Sequence, residues 1–432
     1  MIVSTFISTW ESIIQQFFPV FTLPTANIFL DLVTGWVLCT SRRTISGILP
    51  FADPDCQRAH DAYHRFFPDS SWAMAELWRC LTLLLVRAFW PAGTIHTDLD
   101  DTLYHRSGRK VDGAAWWRDA VCSTGTKVVH AWGLNIVVLT LRIYPPWGGE
   151  PLGLPINMRL HRKGGQSLID LAEDMLNEVV RWLPKRRFHC HCDGFYACLV
   201  GRDIPNTHIT SRMRRDANIY DLLPETRRRK RGRPRKRGKK LLAPQYMASY
   251  VRNWKFVETV ERGQVRERMV YCRKVIWYKV SDKPVLLVIS RDPGGKDSDD
   301  FLVTTNLSLS AARVIGGYAG RWSIEDTVKN AKQGIGGQQP QTWRRKGPER
   351  AAALSLWLYS VIWLWYIQHR NTHKSALTWR PWYPAKSRPS FRDAISALRR
   401  ALWTNRIKSM FGKPAVNDKT TRFLIMVLST AA

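Results

Sequence analysis

Apolar positions recur at helical spacing through the first 90 residues. The clearest stretch opens at Ser71-Trp72-Ala73-Met74-Ala75-Glu76 and runs to Trp90, relieved only by polar positions such as Arg79 and Arg87, before Pro91-Ala92-Gly93 breaks it. The period then shortens to two. Strands are predicted at Thr94–Thr102, Leu134–Ile143 and about Leu154–His161, the last two separated by the Pro145-Pro146-Trp147-Gly148-Gly149 turn. An amphipathic helix follows, with Ser167 and Asp170 as a capping box and Leu168, Leu171, Ala172, Met175, Leu176 and Val179 as its apolar stripe; Pro184 stops it. Arg187–Asp193 is a short strand, Gly194-Phe195-Tyr196 opens a helix, and Thr207–Arg214 is a further strand.

From Trp254 to Val288 the pattern is β again, with strands at Phe256–Val260, Glu267–Tyr271, Val275–Lys279 and Pro284–Ile289, and another at Phe301–Asn306. Tyr318–Lys332 reads as a helix that Gly334-Ile335-Gly336-Gly337 ends. Ala351–Ile367 reads as a buried helix, its Trp357, Tyr359, Trp363, Trp365 and Tyr366 serving packing, and Ser390 with Asp393 caps a terminal helix. These shifts divide the chain into helical residues 1–90, an α/β segment 91–215, an insertion 216–305, a second α/β segment 306–370 and a helical end 371–432.

Composition narrows the partners. A formal net charge of +31, from 66 Lys and Arg against 35 Asp and Glu, favours a polyanion. Arg227–Lys240 is basic at eleven of fourteen positions, yet the rest of the chain keeps +20, so the basic surface is distributed. Within that run Arg231-Gly232-Arg233-Pro234 resembles an AT-hook core, which lays arginines into a narrow minor groove; a plain phosphate-binding arm is the alternative. The longest uncharged apolar run, Ala353–Ile367, is fifteen residues, short of a membrane span. No secretory signal is apparent, and the eight scattered cysteines include no C-x-x-C pair, which reads as reduced thiols in a cytoplasmic protein. In His189-Cys190-His191-Cys192, strand alternation sends the His and Cys pairs to opposite faces, so this run alone does not close a tetrahedral zinc site.

Candidate chemistry concentrates in acids. Asp98, Asp100 and Asp101 crowd one strand, where mutual repulsion calls for a cation. Asp193 stands at a strand end before a helix, where open α/β sheets place their chemistry and where an N-cap also sits. Tyr318, Arg321, Glu325 and Lys332 fall within roughly 60° of one another on an α-helix at about 100° per residue. Tyr, two residues, Arg, three residues, Glu, six residues, Lys resembles the signature of bacterial insertion-sequence transposases of the DDE superfamily.

That resemblance implies a ribonuclease H-like core, matching the order of three antiparallel strands, helix, strand, helix, strand, with a β-rich insertion domain filling the roughly 130 residues between Asp193 and Glu325. It implies a DNA-end-binding role for the amino-terminal helices. Asp101, Asp193 and Glu325 would be the catalytic carboxylates, holding two Mg²⁺ ions for which Mn²⁺ substitutes; Asp100 is the neighbouring alternative to Asp101. Tyr318, Arg321 and Lys332 would contact DNA, as would Arg231 and Arg233 of the arm. Trp254 and Trp277 are candidates to hold a flipped base. The implied partners are the transposon's terminal repeats and target DNA, with a homodimer on paired ends, in the bacterial cytoplasm with the nucleoid and no membrane. Two other readings keep the same acids or the same basic arm: a nuclease that cuts without strand transfer, and a catalytically silent DNA-binding protein.

Overall fold

The computed structural model describes residues 10–223, 236–373 and 386–430. The amino-terminal helices are α1 (Trp10–Gln15), α2 (Leu23–Leu38), α3 (Ile45–Ala52), α4 (His60–Phe66) and α5 (Met74–Phe89). The first α/β segment follows with β1 (Ile95–His105), β2 (Ala115–Arg118), β3 (His130–Ile143), β4 (Leu152–His161), α6 (Leu168–Trp182), β5 (Phe188–Cys192) and β6 (Thr207–Arg212). The insertion contributes β7 (Ile219–Tyr220), α7 (Pro244–Tyr250), β8 (Lys255–Glu261), β9 (Gln264–Trp277), β10 (Val285–Arg291) and β11 (Asp300–Thr304). Then come α8 (Ala311–Ala319), α9 (Ser323–Gln333), α10 (Gly347–His373), α11 (Phe391–Asn417) and α12 (Lys419–Thr430).

The sheet explains the order. β3 lies antiparallel to β1 and β4, while β5 runs parallel to β1 and β6 parallel to β5. The resulting order β4-β3-β1-β5-β6 is a ribonuclease H-like core, with β1 at its centre. The insertion does not form a separate sheet beside that core. β11 pairs antiparallel with β6, β10 with β11 and β9 with β10, so one sheet continues from core into insertion.

Several elements differ from the pattern-based expectation. β1 extends to His105, three residues past the predicted end, so Asp100 and Asp101 lie within the strand rather than at its edge. Its ladder with β3 reaches from Thr97 to His105 and supplies the backbone partners that sequence polarity hides. The helix expected after Asp193 is a 3₁₀ helix, Phe195–Gly201. The two strands predicted at Glu267–Tyr271 and Val275–Lys279 are one, β9, because β10 pairs with it from Met269 to Val275, straight across the polar Cys272-Arg273-Lys274 interval, while β8 pairs with the part before it. A tight turn joins β8 to β9 through Arg262 and Gly263, both at positive φ (49° and 72°), the conformation of a type I′ hairpin.

Burial follows the pattern closely. One cluster of buried side chains runs from Trp10 to Leu398 and joins the amino-terminal helices, the sheet, α10 and α11. α10 is long and apolar enough to cross a membrane by composition, but its apolar stretch within Gly347–His369 is packed inside: Trp357 meets Phe17 and Phe29 edge-on, with ring centroids 4.8 and 5.2 Å away. A smaller cluster, including Val270, Leu286, Val288 and Leu302, packs α8 onto the insertion strands. Ser167 caps α6, its hydroxyl accepting from the Asp170 amide at 3.2 Å, and Asp393 accepts from the Ser390 amide at 2.7 Å before α11.

Candidate active site

The signature segment is helical throughout but not one α-helix. α8 ends at Ala319, a 3₁₀ turn covers Gly320–Trp322, and α9 begins at Ser323. The tighter turn re-aims α9 relative to α8, so faces counted at a constant 100° per residue do not carry across it. Glycines let this bend lie close to the sheet. A Cβ on Gly317 would stand 2.8 Å from His191 Nε2, and one on Gly320 would stand 2.6 Å from Arg142 Nη1.

A buried polar clamp holds the bend in place. Arg142 on β3 pairs through Nε and Nη2 with both carboxylate oxygens of Asp98 on β1, and its Nη1 donates to the Gly317 carbonyl at 2.7 Å. Ser323 Oγ donates to Asp98 Oδ2 at 3.2 Å. Thr327 then donates to the Gly153 carbonyl of β4 at 2.5 Å, where glycine allows α9 to approach. Asp98 thus serves the scaffold, and Arg142 is a residue that sequence reasoning passed over inside an apolar strand.

The clamp sets Glu325 against β1. Arg321 donates from Nη1 to Asp100 Oδ2 at 2.7 Å and from Nη2 to Glu325 Oε1 at 3.1 Å, joining the two carboxylates through one guanidinium. Asp101, one residue on, points to the other face of the strand and accepts from the Tyr196 hydroxyl at 2.9 Å. Asp193 follows β5, the parallel neighbour of β1, and its Oδ1 accepts from the first two amides of the 3₁₀ helix, Phe195 (3.0 Å) and Tyr196 (3.3 Å), from one residue before the Gly194 N-cap. Burial pushes the Asp100 carboxyl up to about 7; Arg321 opposes this, and Asp193 and Asp101 add to it. Burial raises Asp101 as well, against the Tyr196 hydrogen bond. Acids from β1, from the turn after β5 and from α9 are therefore gathered in one place.

Of the predicted DNA contacts, Tyr318 lies with its ring 5.8 Å from the Arg212 guanidinium and 5.9 Å from that of Arg321. Lys332 projects over the Tyr104 ring at 5.7 Å, further along β1, and burial lowers its pKa to about 8. Arg231 and Arg233 lie outside the described residues. The carboxyl end of the basic run is pinned to the insertion: the Arg237 guanidinium sits 4.4 Å from the Tyr220 ring and 3.9 Å from that of Tyr278. Trp277 is buried, and the Trp254 ring is covered by Arg291 at 4.5 Å. Trp322, which pattern reading missed because it sits inside the signature, is exposed and stacked by Arg262 at 3.9 Å. Together with Tyr318, Arg321, Glu325 and Arg212 they line a cleft of about 500 Å³.

The His-Cys run behaves as alternation requires. Cys190 and Cys192 are buried on one face, while His189 and His191 join His96 of β1 on the other. These three rings stack with planes within 21° of parallel. Burial holds all three imidazoles neutral, His96 near 4 and His189 near 3. Parallel rings aim their lone pairs side by side rather than at a common point, and His189 already bonds Thr210 at 2.7 Å. The carboxylate cluster, not this stack, offers the hard oxygen donors that suit Mg²⁺ or Mn²⁺.

A ribonuclease H-like sheet whose central strand, neighbouring strand end and covering helix converge in carboxylates defines the class first: a nuclease-type core for phosphoryl transfer. Residues 16–273 match the family described as DDE superfamily endonuclease, and the chain belongs to it. Among solved structures it is similar to a piggyBac transposase synaptic complex with hairpin DNA seen by cryo-EM, at 10% identity and a TM-score of 0.41, over 94% of this chain and 76% of that one. No curated protein matches the chain.

Proposed function

We propose that the protein is a DNA transposase of the Tyr-Arg-Glu-Lys group of bacterial insertion sequences, which binds the ends of its element, cuts them and joins them to target DNA. The observation that carries this reading is the Arg321 bridge between Asp100 and Glu325, because it links the signature segment to the acidic strand. On this reading Asp100, rather than Asp101, is the first carboxylate: it shares its face and its cation with Glu325, whereas Asp101 is engaged by Tyr196. Asp193 completes the set.

Asp100, Asp193 and Glu325 would hold two divalent ions, Mg²⁺ or Mn²⁺. When bound, such ions supply Lewis-acid polarisation of the phosphate and lower the pKa of an attacking water or hydroxyl. The chain's own residues do the positioning. Arg321 neutralises Asp100 and Glu325 before DNA arrives and offers a planar fork to phosphate oxygens when it does. Tyr318 and Arg212 line the same cleft, and Lys332 extends the cationic edge past Glu325. No Ser or Tyr nucleophile is required. Pairing two ends calls for at least two copies of the chain, and the reading places them with the bacterial nucleoid.

The test is strand joining. Duplex ends with a free 3′ hydroxyl, taken from the DNA flanking the gene, are incubated with Mg²⁺ and a target plasmid. Joined products should form and should vanish with chelator or with Glu325→Gln. Cleavage without joining would support a plain DNA nuclease, and binding with neither reaction a silent DNA-binding protein.

A further inference from the structure

The loop after α9 folds back over the far end of β1 and encloses a second groove, of about 760 Å³. Its walls carry Arg42, Arg106, Arg109 and Lys110 without a single carboxylate among the lining residues, and the exposed Trp343 stands at its rim. Two acids border this wall and each is already engaged: Asp119 by His105 Nε2 at 2.8 Å, and Asp112, whose amide donates to the Trp343 carbonyl, by Arg162. Arg42, Arg109 and Lys110 are exposed. Arg106 Nη1 donates to the Pro340 carbonyl at 3.1 Å and to the Gln338 carbonyl, while its Nε and Nη2 are buried with no partner among the described residues. Those two nitrogens are closed to solvent, so Arg106 contributes its charge to the wall, and the exposed Arg42, Arg109 and Lys110 are the groove cations that a phosphate can reach.

The groove is in line with the acidic cluster. From Asp100 to Arg106 the chain is extended, since the Arg106 amide continues the β3 ladder to the Trp132 carbonyl at 3.0 Å. Six residues of strand span about 20 Å at roughly 3.3 Å each. Lys332 over Tyr104 lies between the two ends, so Arg321, Lys332 and then the groove cations mark successive points along one edge. At about 3.4 Å per base pair, 20 Å corresponds to about six base pairs of duplex.

We propose that this groove binds the phosphate backbone of the same DNA duplex about six base pairs from the phosphate held at the carboxylates, and so fixes how far the duplex end reaches into the site. The inference rests on the reading of the chain as a DNA-processing enzyme.

The test uses the full chain in a Glu325→Gln background and a 30-base-pair duplex from the gene's flank. Arg42→Gln, Arg109→Gln and Lys110→Gln are combined, because all three side chains are exposed. The slope of log affinity against log salt should flatten by about 0.9 for each phosphate that the variant no longer neutralises. Removing the exposed Lys163, Arg181 and Lys185 in the same way should leave the slope unchanged. Neutral methylphosphonates placed singly along the duplex should weaken binding by the Glu325→Gln parent at the cut and again about six base pairs inward, and the inner effect should disappear in the groove variant. An unchanged slope, or an inner effect that persists in the variant, overturns the groove. Failure of the enzymatic reading appears separately, as wild-type protein that binds the duplex and shows the inner effect but does not cut. A wild type that binds no duplex at all overturns both.

Discussion

Arg321 shows how a single side chain can be read two ways before its neighbours are known. The spacing marks it as a phosphate contact; the structure finds it between two carboxylates, partly shielded, with Asp100, Tyr318 and Glu325 favouring its charged form against the cost of burial. Both uses need a planar fork, because one guanidinium addresses two acceptors at once. Arg321→Lys keeps the charge and gives up the second acceptor. A charge-assisted hydrogen bond contributes about 1.5–3 kcal/mol, so single-turnover cleavage at saturating protein should fall at least about tenfold, while affinity for the duplex, carried by the wider basic surface, stays close to wild type. A full rate at saturation with weakened binding would make Arg321 an ordinary DNA-binding residue. Residue-level ambiguity also explains the paired aspartates. Alternation separates Asp100 from Asp101 by face, and only the position of α9 puts Asp100 on the face it shares with Arg321 and Glu325.

Among elements, most of the order was legible: the helical start, the antiparallel run, α6 with its Ser167 cap, and α9 with its glycine stop all follow from period and punctuation. The Asp98–Arg142 clamp was not. It depends on a cation buried in β3 and on the bend at Gly320, and neither has a periodic signature. Breaking a buried ion pair leaves an uncompensated charge at a cost of about 3–5 kcal/mol, whereas replacing both partners by apolar groups removes the charge altogether. Arg142→Met should therefore lower the thermal midpoint strongly, and Asp98→Leu combined with Arg142→Met should recover much of the loss. Gly320→Ala, which sets a methyl against Arg142, should destabilise by about 1–3 kcal/mol as an overpacked site. Additive losses in the double variant would mean that the pair is not the anchor of the signature segment.

At the scale of the molecule, the sheet does the gathering. Asp100, Asp193 and Glu325 are separated by 93 and 132 residues in sequence, and they converge because β5 pairs parallel to β1 while α9 is clamped above it. The insertion extends the sheet through β6 and β11 and brings the Arg262 hairpin to the cleft, a consequence of pairing between distant strands that local pattern does not reveal. The central claim is that this convergence makes a metal-dependent cutting site with Asp100 in the first position. Its most direct measurement is Mg²⁺-dependent single-turnover cleavage of a bound end by Asp100→Asn, Asp101→Asn, Asp193→Asn and Glu325→Gln, each checked for wild-type-like DNA affinity. The account predicts that the Asp100, Asp193 and Glu325 variants bind but do not cut, and that Asp101→Asn retains appreciable cleavage. Wild-type cleavage by Asp100→Asn, with Asp101→Asn inactive, would contradict it.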